Sequence, residues 1–190
     1  MPSRLIPLTL AIATLALAAF APAGQPDPKR KPNLLTPDID FAMKELCFPW
    51  VKGEGTVEAL TDRQGIVENR GGAGFSGGAR VWWVGSARLD VILGETPTGH
   101  RSCTVRATAG DPAKLRAALD AAMAGWRVPL TPSVHRFRAG AYASRDVLCA
   151  PKDGPQDSLM ISTGGPRAPV PLMLTLMTGE ARDRRCDAAE

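Results

Sequence analysis

Four cysteines, Cys47, Cys103, Cys149 and Cys186, constrain this chain most, because their chemistry depends on the compartment the chain reaches. The amino terminus sets that compartment. A basic start at Arg4 precedes an apolar run from Leu5 to Phe20, and small residues follow, which is the pattern of a secretory signal peptide. Two cleavage sites compete. Ala19-Phe20-Ala21 would leave Pro22 after the cut, whereas Ala21-Pro22-Ala23 leaves Gly24, so cleavage is expected after Ala23. The rival reading of the same run is an uncleaved membrane anchor. Its Ala-rich composition and cleavage signal favour removal, and no later segment reaches the roughly 18 apolar residues of a span. No cysteine lies near the cut, so a lipoprotein anchor has no thiol to use.

Export makes the four cysteines disulfides by default. Four can pair in three ways, and sequence does not choose among them. The pairing preferred here is Cys47 with Cys103, joining a first helix to a strand, and Cys149 with Cys186, tying down the tail. The spacing of the four excludes C-x-x-C redox motifs and paired zinc knuckles. The expected localisation is periplasmic or secreted.

With 190 residues, 44% of them hydrophobic and 22% charged, the chain has the makeup of one soluble domain rather than a disordered, collagenous or coiled-coil protein. The formal net charge of +4 falls to +3 when Arg4 leaves with the signal peptide. The arginines are scattered and no stretch alternates aromatics with cations, so nucleic acid is not an expected partner. Residues 24–35 read as a polar, proline-rich leader, residues 36–180 as one domain, and residues 181–190 as a charged tail.

Thr36, Pro37 and Asp38 read as the cap and first turn of a helix, with Ile39, Met43, Leu46, Cys47 and Trp50 on its apolar stripe. Pro49 is expected to end the regular part near Cys47. A short second helix follows the cap at Thr56, with Val57 and Leu60 on one side and Gly65 at its end. Residues 69–79 are too rich in glycine for an element interior.

The period then changes to two. Strands are expected at 80–84, 88–93 and 103–108, with Leu89, Val91, Leu93, Cys103, Val105 and Ala107 inward, and with 94–102 as a turn-rich connection. Asp111 and Pro112 open the main helix, whose stripe is Leu115, Leu119, Ala122, Met123 and Trp126, with Gly125 as a left-handed stop. Residues 129–138 look irregular, and three more strands are expected at 141–149, 158–163 and 172–178. The fold class is α+β: a half-solvated antiparallel sheet with one main helix packed on a face, two short helices before it, and disulfide bonds.

Candidate chemistry is sparse. Gly74-Phe75-Ser76-Gly77-Gly78 matches G-x-S-x-G, but a nucleophile elbow needs a strand before and a helix after, and Ser76 follows a glycine-rich loop and precedes a strand. A small serine hydrolase using Ser76 with His135 or His100 is therefore the alternative reading and not the first. The same loop lacks the Lys-Ser or Lys-Thr ending of a phosphate loop. His100 and His135 have no partner at metal-face spacing, so surface histidines are the simpler interpretation. Met160, Met173 and Met177 raise a weaker, copper-handling reading, since thioethers suit Cu(I) and Met173 and Met177 share a strand face, although core or half-core packing is the simpler interpretation. Trp82 and Trp83 fall on opposite faces of their strand, so at most one is exposed. Arg136, Arg138 and Arg145, with Tyr142 among them, form either a cationic binding surface or a solvated sheet face.

Cys47-Phe-Pro-Trp after a helix, Cys103-Thr-Val on a strand, Asp111-Pro-x-x-Leu, and Pro171-Leu-Met-Leu-Thr-Leu resemble small exported proteobacterial proteins of unknown function, over residues 36–180. That resemblance implies a periplasmic, disulfide-bonded domain and carries over no catalytic residues. Without a coherent acid, base, nucleophile or metal set, the leading expectation is a non-catalytic envelope protein that binds a partner protein or a small ligand and needs no cofactor.

Overall fold

The computed structural model of the chain describes residues 39–70, 79–85, 88–133, 140–151, 157–178 and Cys186. The expected signal peptide, leader and Thr36 cap, the Ser76 segment, His135, Arg136, Arg138 and the tail apart from Cys186 lie outside the described residues.

Eight strands form one sheet in the order β1-β2-β3-β4-β8-β7-β6-β5, and every neighbouring pair is antiparallel. The strands are β1 (Ile66–Glu68), β2 (Arg80–Val84), β3 (Leu89–Glu95), β4 (Arg101–Ala107), β5 (Thr131–Pro132), β6 (Tyr142–Cys149), β7 (Asp157–Gly164) and β8 (Leu172–Thr178). Two four-stranded meanders thus meet where β4 pairs with β8. The helix α4 (Pro112–Met123) carries the chain from one meander to the other.

The molecule is mostly sheet, more so than the sequence suggested. Strands β1 and β5 were not expected, because elements of three and two residues are too short to show a period. Segment 94–102 is strand at both ends rather than connection throughout. Pairing continues to Glu95 opposite Arg101, and only 96–100 turns.

Period-two alternation places the expected side chains inward. Leu89, Val91, Cys103, Val105, Leu159, Ile161 and Leu172 are fully enclosed, and Leu115 and Leu119 of α4 join the same core. At α4 the Asp111 carboxylate accepts from the Lys114 backbone N–H at 2.8 Å, which is the capping the sequence called for. Gly125 does not supply the stop. The helix ends with Ala124 still right-handed, and Gly125 and Trp126 donate to the carbonyls of Ala122 and Met123 in short turns.

Pro49 does not end the first helix. The helical path runs through α1 (Ile39–Ala42), a π-helical turn (Met43–Cys47) and α2 (Phe48–Lys52). The Phe48 N–H reaches back five residues to the Met43 carbonyl, and this wider turn admits a proline ring that would collide with an α-helical carbonyl. The stop comes at Gly53, whose φ of 77° is left-handed. Glu54 N–H donates to Pro49 O at 2.8 Å and Gly53 N–H to Trp50 O at 3.0 Å, the paired bonds of a Schellman motif.

The apolar stripe of this helix is fixed to the first meander. The Cys47–Cys103 disulfide joins the π-helical turn to β4, with Cα atoms 5.3 Å apart. One turn on, the Trp50 indole N–H donates to the carbonyls of Ser102 at 3.1 Å and Gly94 at 3.3 Å. The Arg101 guanidinium lies 4.2 Å from the Trp50 ring centre and donates to its carbonyl. The second disulfide, Cys149–Cys186, ties the tail to β6, so both preferred pairings are the ones present.

The short helix α3 (Val57–Thr61) begins as expected, with Thr56 Oγ1 accepting from the Ala59 N–H. Arg80 of β2 links it to β1, donating to Glu58 at 2.7 Å and Glu68 at 2.9 Å. Those hydrogen bonds hold both carboxyl groups below their ordinary value.

Two outcomes follow. Replacing Cys47 and Cys103 together by alanine removes a cross-link closing 56 residues, and chain entropy sets the loss at about 4 kcal/mol in chemical denaturation. Arg80→Ala should raise the titration midpoints of Glu58 and Glu68 toward 4.5 by NMR. Since both are depressed in the folded chain, their contribution is present above 4.5 and fades as pH falls through the lowered midpoints. Glu58 is exposed and Glu68 only half-buried, so the stability change is small.

Candidate functional site

Among the described residues, those named for chemistry do not gather into one site. His100 closes the β3–β4 turn, where its backbone N–H donates to Thr96 Oγ1 at 3.0 Å and its carbonyl accepts from the Thr96 N–H at 2.8 Å. Ser76 and His135 lie outside the described residues, so the hydrolase arrangement has no described geometry. Among the described residues no three His, Cys, Asp or Glu side chains gather as a ligand set, and no helix is long and apolar enough to cross a membrane.

The methionines share a face more fully than the sequence indicated. Met160 of β7 pairs with Thr175 of β8, so it sits between Met173 and Met177 on the face away from the core. Met173 and Met177 are four residues apart on an extended strand, about 13 Å. Arg106 of β4 lies opposite Met173 in the same row, and its guanidinium pairs with Asp90 of β3 at 2.6 Å.

Trp82 is buried and Trp83 is 39% exposed, one on each face as the pleat requires. Trp83 pairs with the exposed Val67 at the β1 edge.

The cleft lies elsewhere, on the helical side. It has a volume of about 410 Å³ and opens between α2 and the segment after α4. Pockets that hold small ligands run about 300–1,000 Å³. Phe48 and Trp126 make its apolar wall, their ring centres 5.2 Å apart and their planes at 83°, the edge-to-face arrangement favoured by aromatic quadrupoles. Pro49, kept in the helix by the π-helical turn, and Val128 complete the apolar lining.

Asp40 holds one wall in place. It accepts from the Trp126 indole N–H at 2.8 Å and pairs with Lys44 one helical turn along. Tryptophan is thereby oriented from a residue far away in sequence. Lys52 and Arg127 also line the cleft, both exposed and without an ion pair among the described residues, and Glu54 is the one acid in the lining. Three cations against one carboxylate make the rim positive, while Asp40 answers Lys44 from behind. The lining contains no histidine, cysteine or serine. What the arrangement can do is hold an anionic group at Lys52 and Arg127 while an apolar body lies against Phe48 and Trp126.

Sequence reasoning read Trp126 as part of the main-helix stripe and the neighbourhood of Phe48 as a helix end. The usable signal was weak. Lys52 and Arg127 are cations that immediately follow amphipathic helical stretches ending in aromatic or apolar residues, but nothing in the chain order indicates that the two segments meet.

Compared with known proteins, the chain matches no family model, no curated protein and no solved structure.

Proposed function

We propose that this chain is an exported, non-catalytic binding domain, and that its cleft takes a small ligand with an anionic end and an apolar body. The observation that carries the reading is the juxtaposition of two cations unpaired among the described residues, Lys52 and Arg127, with the perpendicular Phe48 and Trp126 rings. Export to the periplasm or beyond is supported by the two disulfides and by the absence of a spanning helix among the described residues, and the proposal includes removal of the signal peptide after Ala23. The likeness to small exported proteobacterial proteins belongs to the same proposal.

Binding fits this lining better than turnover does. Reaction at a bound group needs a base, an acid or a nucleophile within hydrogen-bond reach, and the only titratable groups here are cations and Glu54. A rigid aromatic wall and two flexible cations suit recognition of shape and charge.

The aromatic sulfonate 8-anilinonaphthalene-1-sulfonate is the matching probe. Its fluorescence should rise saturably with the disulfide-bonded protein and fall when Phe48 is replaced by alanine. Lys52→Ala with Arg127→Ala should weaken it about 5- to 10-fold, as expected for two exposed charges at up to about 0.7 kcal/mol each. An affinity unchanged in both variants would place the probe outside the cleft and remove the proposal.

A further inference from the structure

The face of the sheet away from the helices carries a second arrangement that the cleft does not use. Arg145 of β6 lies directly opposite Ser162 of β7, and Ser162 lies opposite Met173 of β8. The three side chains form one row across adjacent strands. Ser162 is 0% exposed, and its hydroxyl has no hydrogen-bond partner among the described residues. The Arg145 Nε–H is likewise buried and unmatched. Two donors left unsatisfied side by side are costly, and native proteins keep few of them.

The surroundings explain why neither donor is answered from within. Tyr142, one strand turn away on β6, stacks against the Arg145 guanidinium at 5.1 Å, and its hydroxyl reaches the Met173 sulfur at 3.9 Å. Running from β6 to β8, the tyrosine side chain passes over β7 and roofs the pair. The roof is held by a sulfur, a weak acceptor, so it is cheaply released. A β-bulge between Tyr142 and Ser144 turns the ring onto this face.

Charge is uneven along the row. Arg106 at its far side is matched by Asp90 at 2.6 Å. Arg145 has no carboxylate within ion-pair distance among the described residues, and its neighbour Asp146 points to the other face, where it pairs with Arg116. We infer that Arg145 and Ser162 form a site for an oxyanion group, which accepts from the guanidinium Nε–H and the serine hydroxyl together beneath the Tyr142 ring. Both protein atoms donate, so the complementary ligand is an acceptor bearing negative charge. A carboxylate, a sulfate and a phosphate share that chemistry.

The site stands on the opposite side of the sheet from the cleft and does not depend on it. The two readings fail separately, since Lys52 and Arg127 variants leave this row untouched.

The test follows the Arg145 Nε–H resonance by nitrogen-15 NMR in the full chain with both disulfides formed. Acetate, sulfate and phosphate are titrated separately at constant ionic strength, which distinguishes the sources. At least one should give a saturable shift that Ser162→Ala weakens tenfold or more and that also raises the melting temperature of the parent protein but not of Ser162→Ala. Ser162→Ala removes only a hydroxyl with no partner among the described residues, so the variant should fold, and without added anion it should melt no lower than the parent. Shifts that stay linear with all three salts, or an affinity unchanged in Ser162→Ala, would overturn the site and leave a buried water as the occupant of the gap.

Discussion

The first helix is held to the sheet at the junction where Cys47 meets Cys103 and Trp50 reaches over the β3–β4 hairpin. The rest of the architecture depends on it. A helical segment of fourteen residues interrupted by a π-turn is too short to be stable alone, because nucleation is unfavourable and few hydrogen bonds repay it. Its covalent bond to β4 and the buried indole supply what length does not. With the helix fixed, Phe48, Pro49 and Lys52 project from its far side, and the chain leaving α4 passes near enough to form the cleft.

The sheet separates two chemistries. Its inner face is leucine, valine and isoleucine from six strands, sealed by the helices. Its outer face mixes hydroxyls, thioethers and guanidinium groups with a few apolar side chains, and Thr104 is bonded to Thr175 at the seam between the meanders. That outer face is not simply solvated. Asp90, Ile92, Val147 and Ser162 are all buried on it, which departs from the half-solvated sheet the alternation suggests. Short edges complete the design, because β1 and β5 expose little unpaired backbone to another sheet.

Much of this was legible in the chain order. Two helix caps, the stripes of Ile39 to Trp50 and of Leu115 to Leu119, and six of the strands follow from local chemistry and period, which tertiary packing here reinforces. Both disulfide pairings were preferred, although sequence left the alternatives open. The missed features are those that period cannot register. A hydrophobic stripe looks the same whether Pro49 ends it or a π-turn carries it through to Val51. The cleft needs two segments more than seventy residues apart to meet, with Asp40 orienting Trp126. The row of Arg145, Ser162 and Met173 exists only once the register of three strands is known. Tyr142 and Arg145 drew notice in the sequence as part of an arginine run, whereas their actual partners come from neighbouring strands.

The proposed function is that of a stapled scaffold with recognition surfaces. That account rests on thiols oxidising after export and pairing in one way. Peptide mapping by mass spectrometry, on unreduced protein recovered from the cells that make it, addresses this directly. The account expects a new amino terminus at Gly24 and two linked peptide pairs, one joining Cys47 to Cys103 and the other Cys149 to Cys186. Free thiols on a chain that still begins at Met1, or a bond crossing between the two pairs, would contradict it.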